Sequence, residues 1–284
     1  MHDVKLPSGE RWPALGLGTW HMGEDARRRK AEVAAVRAAL EIGYRVVDTA
    51  EMYGEGGAEQ VVGEALADAL RTGAVQRDQV RLVTKFYPQH AQPADMLAAC
   101  ERSLRRLQVD QIDLYLLHWR GGVPLERTLE GFQQLQQRGW IRHWGVSNFD
   151  VDDMLELVAL PGGRACATNQ VYYSLSERGI EFDLLPLMRP QRMPVMAYCP
   201  IDGGALSRAP ALAAIAQRLN ATPAQVALAW ALAQPCTLAI AKAVRSDHLR
   251  ENWQATSLVL GPDDLSELDR LFAPPQMRKP LAMA

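Results

Sequence analysis

The sequence predicts an α/β chain folded as a (β/α)8 TIM barrel, with an N-terminal β-hairpin closing the barrel bottom. Three observations carry that prediction. Short apolar, β-branched runs recur eight times along the 284 residues, amphipathic stretches of helical length separate most of them, and no composition shift or Pro/Gly/Ser linker interrupts the series. Residues 1–284 therefore read as one domain. A doubly wound dinucleotide fold calls for Gly-x-Gly-x-x-Gly directly after its first strand. The nearest candidate, Gly54-Glu55-Gly56-Gly57, lacks that spacing and carries a carboxylate, which excludes the open sheet.

In chain order, Val4 to Trp12 has strand, turn, strand character with Ser8-Gly9 at the bend, and supplies the hairpin. The eight barrel strands follow at Ala14 to Trp20, Tyr44 to Ala50, Arg81 to Phe86, Ile112 to Trp119, His143 to Asn148, Thr168 to Tyr172, Val195 to Tyr198 and Leu238 to Ala241. Apolar spacing marks the helices between them, as in Val33, Val36, Ala39 and Leu40, or Val61, Val62, Ala65 and Leu66 with Gly73 near the end. The basic run Arg27-Arg28-Arg29-Lys30 reads as a solvated helix start.

Composition excludes several function classes. A formal charge of −2 gives no electrostatic footprint for nucleic acid or an anionic membrane. Met1 to Glu10 lacks the apolar core of a secretory signal, and the longest apolar region, around Val226 to Val244, is broken by Gln234 and Pro235, so a cytoplasmic chain is expected. Cys100, Cys166, Cys199 and Cys236 form no Cys-x-x-Cys pair and read as buried reduced thiols. His2, His21, His90, His118, His143 and His248 show no i,i+4 ligand spacing, so no metal site is expected. Oligomeric state has no handle in the sequence, and a monomer is the default expectation.

The chemistry concentrates at the strand ends. Asp48, Tyr53, Lys85 and His118 fall at or just past the C-terminal ends of three apolar runs, the side on which a parallel barrel gathers its reacting groups. Each has a bland alternative, as a cap, a packed ring, an ion-pair partner or a satisfied core histidine. Their joint placement is harder to assign to packing, because ionisable side chains aimed into one barrel mouth carry a desolvation cost unless paired. For a tyrosine to act as general acid at neutral pH, its pKa must come down by roughly 2 to 3, or about 3 to 4 kcal/mol. An ammonium at about 4 Å and an effective dielectric near 20 supplies about 4 kcal/mol. Asp48 would keep Lys85 charged, and a neutral His118 would donate a hydrogen bond to the substrate oxygen. Such a set suits reduction of a carbonyl by hydride, with Tyr53 delivering the proton.

At these residues the chain resembles the aldo-keto reductase superfamily, in its bacterial diketogulonate-reductase-like form. Gly43-Tyr44-Arg45-Val46-Val47-Asp48-Thr49-Ala50-Glu51-Met52-Tyr53-Gly54 is similar to the family's Asp and Tyr signature. Val83-Thr84-Lys85 is similar to its lysine strand, and Asp113-Leu114-Tyr115-Leu116-Leu117-His118-Trp119 to its histidine strand. The resemblance runs to about Phe272 and implies an NAD(P)H-dependent oxidoreductase acting on small aldehydes or ketones, with neither metal nor flavin. It further implies that Ser147, Asn148 and Gln170 hold the nicotinamide carboxamide, that the ring stacks on Tyr198, and that a flap contributes amides of Gly204 and Leu206. In the run Ile240 to Asn252 it gives Lys242 and Arg245 to the phosphates, and His248, Glu251 and Asn252 to the adenine side. Ala243 stands where a serine is frequent and His248 where an arginine often stacks, departures that count against NADP over NAD, but the retained Lys242 and Arg245 favour a phosphorylated ribose, so NADPH is expected with NADH possible.

For the substrate pocket the strand ends offer Trp20, Met22, Tyr87 and Trp119, with Arg120 as a cation at the rim. The short proline-rich tail after Phe272 points to a relatively open site. Two rival functions are a Schiff-base lyase using Lys85 as a nucleophilic amine and a non-catalytic barrel subunit that only binds nucleotide.

Overall fold

The structure is a computed structural model that describes residues 3–284, so His2 lies outside the described residues. Strands β1 (Asp3–Lys5) and β2 (Arg11–Pro13) pair antiparallel, with Val4 opposite Trp12. After them come β3 (Leu15–Gly18), α1 (Arg29–Ile42), β4 (Val46–Asp48), α2 (Gly57–Arg71), β5 (Arg81–Phe86), α3 (Pro93–Leu107), β6 (Ile112–Leu117) and α4 (Leu125–Gln137). The chain continues through β7 (Ile141–Ser147), α5 (Val151–Ala159), β8 (Asn169–Tyr172), α6 (Leu184–Met188), β9 (Val195–Tyr198), α7 (Ala213–Arg218), α8 (Pro223–Ala233), β10 (Thr237–Lys242), α9 (Ser246–Gln254) and α10 (Pro262–Leu271). Strands β3 to β10 close into a barrel with every pairing parallel, β10 returning to β3.

The hairpin sits under the barrel because its polar residues meet the first residues of the strands. Glu10 pairs with Arg81 at 3.0 Å, with His143 at 2.8 Å and with Arg142 at 3.1 Å, all at the starts of β5 and β7. Burial pushes the Glu10 carboxyl up, but the His143 hydrogen bond and the two guanidiniums outweigh it and hold the group below its usual range. Trp12 is fully buried beside them, its ring edge-on to His143.

Strand β7 begins two residues before the expected His143, since Arg142 and His143 face the hairpin acid and their polarity masks the strand start. Strand β6 ends before His118, yet the His118 amide still donates to the Phe86 carbonyl at 3.1 Å and keeps the residue in line. The apolar run broken by Gln234 and Pro235 is helix α8, a turn and β10. Among the described residues no helix is long and apolar enough to cross a membrane. Cys100 and Cys166 are buried, but Cys199 is half-buried and Cys236 exposed, which corrects the expectation of four buried thiols. Cys236 sits on the tight α8–β10 turn at φ 56°, out of reach of the core.

Candidate active site

Strand register sets three of the four reacting side chains. Asp48 ends β4 opposite Val83, so Lys85, two residues further along β5, points to the same side of the sheet. Lys85 pairs with Leu116, and His118 lies two residues beyond that on the same face. The fourth, Tyr53, comes from the loop after β4, where Gly54, Glu55 and Gly56 all have positive φ. A Cβ on Gly54 would stand 2.7 Å from the backbone of Gly23, and one on Gly23 would stand 2.1 Å from the backbone of Gly57, so the two segments approach this closely only because both positions lack side chains. The glycines that fail as a dinucleotide fingerprint thus serve to seat Tyr53.

The Lys85 ammonium is fully buried and spends its three donors on Asp48 Oδ2 at 2.8 Å, the Thr49 carbonyl at 2.9 Å and the Tyr53 hydroxyl at 3.2 Å. Burial alone lowers its pKa, but the Asp48 carboxylate and Tyr53 reverse this and leave it raised. Lys85 is therefore held as a cation, which a Schiff-base nucleophile cannot be. Because the phenol oxygen accepts from Lys85, its O–H is left to donate elsewhere.

Tyr53 departs from the expected direction. Burial raises its pKa, the Lys85 charge and hydrogen bond bring it back only in part, and Asp48 adds to the rise. The expectation of a phenol lowered outright is corrected: desolvation of the phenolate outweighs one ammonium that is itself paired. Tyr53 stays protonated at neutral pH, and Lys85 acts by reducing the cost of losing the proton.

His118 packs edge-on to Tyr53, ring centroids 5.9 Å apart. Burial, reinforced by Lys85, pulls its pKa down to about 2, so the ring is neutral. Its Nδ1 is buried with no partner among the described residues. A stranded acceptor costs less than a stranded N–H, which puts the proton on Nε2, on the cavity side.

A second polar group adjoins this one. Asn148 Nδ2 donates to the His118 carbonyl at 3.1 Å and to Ser147 Oγ, while its Oδ1 accepts from the Tyr198 hydroxyl at 2.9 Å. Gln170 Nε2 donates to Asp48 Oδ1 at 2.7 Å, so Asp48 is clamped by Lys85 on one oxygen and Gln170 on the other. Tyr172, unforeseen in the sequence, stacks on Tyr198 at 5.5 Å and covers one face of that ring. It also donates to Asp202, which accepts from Ser176 as well and is thereby pinned in the loop after β9.

These groups line one cavity of ≈ 590 Å³ that extends from Tyr53, His118 and Trp20 to Lys242, His248, Glu251 and Asn252. That volume is ordinary for a small-molecule site. Several expected members stand off its wall. Met22 is completely buried in the hydrophobic core, since a turn after β3, closed by its amide donating to the Thr19 carbonyl, sends it inward. Tyr87 and Trp119 form an edge-to-face pair outside the cavity, with the Tyr87 hydroxyl donating to Glu55. Leu206 is buried off the wall, whereas Gly204 lines the cavity, and the amides of both donate to the Ile201 carbonyl. Arg245 closes on Asp247. Arg120 folds back onto the Val123 carbonyl and Glu156, serving its own loop rather than a substrate.

Conversely, His21, Met52, Cys199 and Arg208 line the cavity without any signal of sequence spacing. The tail also reaches it. Arg278 pairs with Asp152 and Asp183, Leu281 packs on the core, and Ala284 closes part of the wall, so the site is less open than the tail's length implies.

Comparison with known proteins is consistent along the whole chain. A profile of the Aldo/keto reductase family matches residues 14–273. Methylglyoxal reductase YeaE of Escherichia coli (strain K12) is 48% identical over 287 aligned positions, covering 99% of this chain and 96% of that protein. Among solved structures, an aldo-keto reductase from Klebsiella pneumoniae in complex with NADPH superposes with a TM-score of 0.93 at 47% identity, with 99% of each chain covered. A second structure from that organism, in complex with NADP and acetate, gives 0.92 at 47% identity and 99% coverage of both chains.

Proposed function

Since the chain belongs to the aldo/keto reductase family, we propose that it reduces small aldehydes and ketones, 2-oxoaldehydes such as methylglyoxal among them, to alcohols with NADPH. The observation that carries this is the buried ammonium of Lys85, whose three donors tie Asp48 and a backbone carbonyl to the Tyr53 phenol. NADPH, when bound, supplies the hydride.

The chain's own groups do the rest. Tyr53 gives its hydroxyl proton to the carbonyl oxygen, and Lys85 stabilises the phenolate that results. His118, neutral and carrying its proton on Nε2, donates to the same oxygen as charge builds on it. Asp48, fixed by Gln170, keeps the ammonium charged and in place. Ser147, Asn148 and Gln170 would hold the carboxamide, and the uncovered face of Tyr198 would carry the nicotinamide ring. The residues fit such a group: Gln170 Oε1 takes no hydrogen bond from the described residues, and the Lys242 ammonium, on the cavity wall, makes no salt bridge with them.

Oxidation of NADPH followed at 340 nm with methylglyoxal and a panel of small aldehydes and ketones tests the proposal. Turnover with NADPH supports it. Absence of turnover across the panel, with nucleotide still bound, would instead favour the non-catalytic binding subunit.

A further inference from the structure

One buried acid beside the site plays no part in the steps above. Glu51 is 4% exposed and lies where the chain leaves β4, two residues before Tyr53. Ladder bonds continue past the end of that strand: the Thr49 amide donates to the Val83 carbonyl at 2.8 Å, and the Glu51 amide to the Lys85 carbonyl at 3.0 Å. In a parallel ladder, a residue that donates to one position of the neighbouring strand accepts, through its own carbonyl, from the amide two positions further on. Here that amide belongs to Tyr87, and it donates at 2.7 Å to Oε1 of the Glu51 side chain. The carboxyl group supplies a rung in place of the main chain.

This exchange frees the backbone to turn. The Tyr53 amide donates to the Ala50 carbonyl at 3.1 Å, closing a turn from Ala50 to Tyr53 in which Glu51 is the second residue. A main-chain rung to Tyr87 would instead hold residue 51 extended along β5 and delay the turn. The carboxyl group is itself fixed, since His90 Nδ1 donates to Oε1 at 2.8 Å and the Arg102 guanidinium stands 3.6 Å from Oε2. The loop after β4, the loop after β5 and helix α3 therefore meet on one side chain. Of the three hydrogen bonds made by Lys85, the one to Tyr53 is the longest, at 3.2 Å, and the only one whose acceptor lies beyond the turn. Any slip of the turn along β5 lengthens that contact first.

We infer that Glu51 is a positioning residue for the proton donor: by accepting from the Tyr87 amide in place of the main chain, it sets the turn that holds the Tyr53 hydroxyl against Lys85. This rests on the proton-donor reading above. The role depends on reach rather than charge, because a neutral oxygen at the same distance accepts from that amide as well. Glutamine keeps the reach and loses the charge, whereas aspartate keeps the charge and is one methylene too short.

The test compares wild type, Glu51→Asp, Glu51→Gln, Tyr53→Phe and the Glu51→Asp/Tyr53→Phe double variant. For each, NADPH affinity, the thermal midpoint and the single-turnover rate of NADPH oxidation by methylglyoxal per folded molecule are measured. Glu51→Asp should slow the rate about tenfold or more with NADPH affinity within about twofold, as a misplaced reacting group does. Glu51→Gln should stay within about threefold of wild type, its amide oxygen still meeting the Tyr87 amide. In the Tyr53→Phe background, Glu51→Asp should cost less than about twofold more, since two changes acting through one group do not add. Glu51→Gln as slow as Glu51→Asp, a Glu51→Asp enzyme that is only less stable, or a full tenfold loss persisting without the Tyr53 hydroxyl would each overturn the assignment. A Tyr53→Phe enzyme as fast as wild type removes the proton-donor reading itself, whereas a slow Tyr53→Phe beside a fast Glu51→Asp removes only this one.

Discussion

Replacing Lys85 by methionine keeps much of the buried volume and removes the charge beside Tyr53. At the observed 3.2 Å and an effective dielectric near 20, an ammonium and a phenolate attract by about 5 kcal/mol. Asp48, 2.8 Å from the same ammonium, cancels part of that field, leaving a net effect of about 2 to 3 kcal/mol on a transition state in which phenolate forms. The single-turnover rate of NADPH oxidation by methylglyoxal should therefore fall about 30- to 150-fold. Because Lys85 is the group that brings the Tyr53 pKa down against burial, its loss moves that pKa higher still. Any alkaline limb belonging to Tyr53 must shift to higher pH, not lower. The substitution also strands a carboxylate, the Asp48 side chain being 4% exposed, at a cost of about 3 to 5 kcal/mol in stability. Asp48→Asn combined with Lys85→Met should recover most of that stability and none of the rate. A Lys85→Met enzyme within fivefold of wild type, or a double variant with its rate restored, would refute the role given to the ammonium.

Stability should fall in acid through His118. Its folded pKa, about 2 against an unfolded 6.5, means that the unfolded chain takes up the proton more readily, so this contribution is whole above pH 6.5 and shrinks as pH drops toward 2. Between pH 7 and pH 5 the loss amounts to about 2 kcal/mol, and urea melts of His118→Phe should lack that part of the slope. Gly54→Ala should cost at least about 2 kcal/mol and abolish most activity, since its φ of 56° and the 2.7 Å approach to Gly23 both reject a Cβ. Thermal melts together with turnover check this, and an active, stable Gly54→Ala protein would contradict the proposed seating of Tyr53. Glu10→Ala should lower stability by about 1 to 3 kcal/mol by releasing Arg81 and His143 at the barrel bottom, yet leave kcat per folded molecule unchanged.

Repeats of apolar runs and helical spacing made the barrel legible, because a buried parallel strand needs nothing but a run of β-branched residues to announce itself. The start of β7 escaped since Arg142 and His143 answer Glu10, a partner more than 130 positions away in the chain. Asp48, Lys85 and His118 were visible as charges at the ends of apolar runs, and register on neighbouring strands does bring them together. The direction of the Tyr53 pKa was not visible. It depends on the balance between burial and one ammonium, and depth of burial is a property of the closed barrel. Met22 shows the same difficulty in reverse: a strand-end position suggests the cavity, but a turn of two residues sends the side chain into the core. Arg208 could not be singled out at all, because its place on the cavity wall depends on how the loop after β9 folds back, and no spacing encodes that.

The proton donor is tested most directly by mixing methylglyoxal with the preformed NADPH complex of Tyr53→Phe and following the nicotinamide absorbance through one turnover. Removal of the hydroxyl leaves the ring packing against His118 in place, so coenzyme affinity should stay within about twofold while the rate falls at least about 100-fold. A rate within a few-fold of wild type would contradict the assignment of Tyr53 as the acid, however well the rest of the site is arranged.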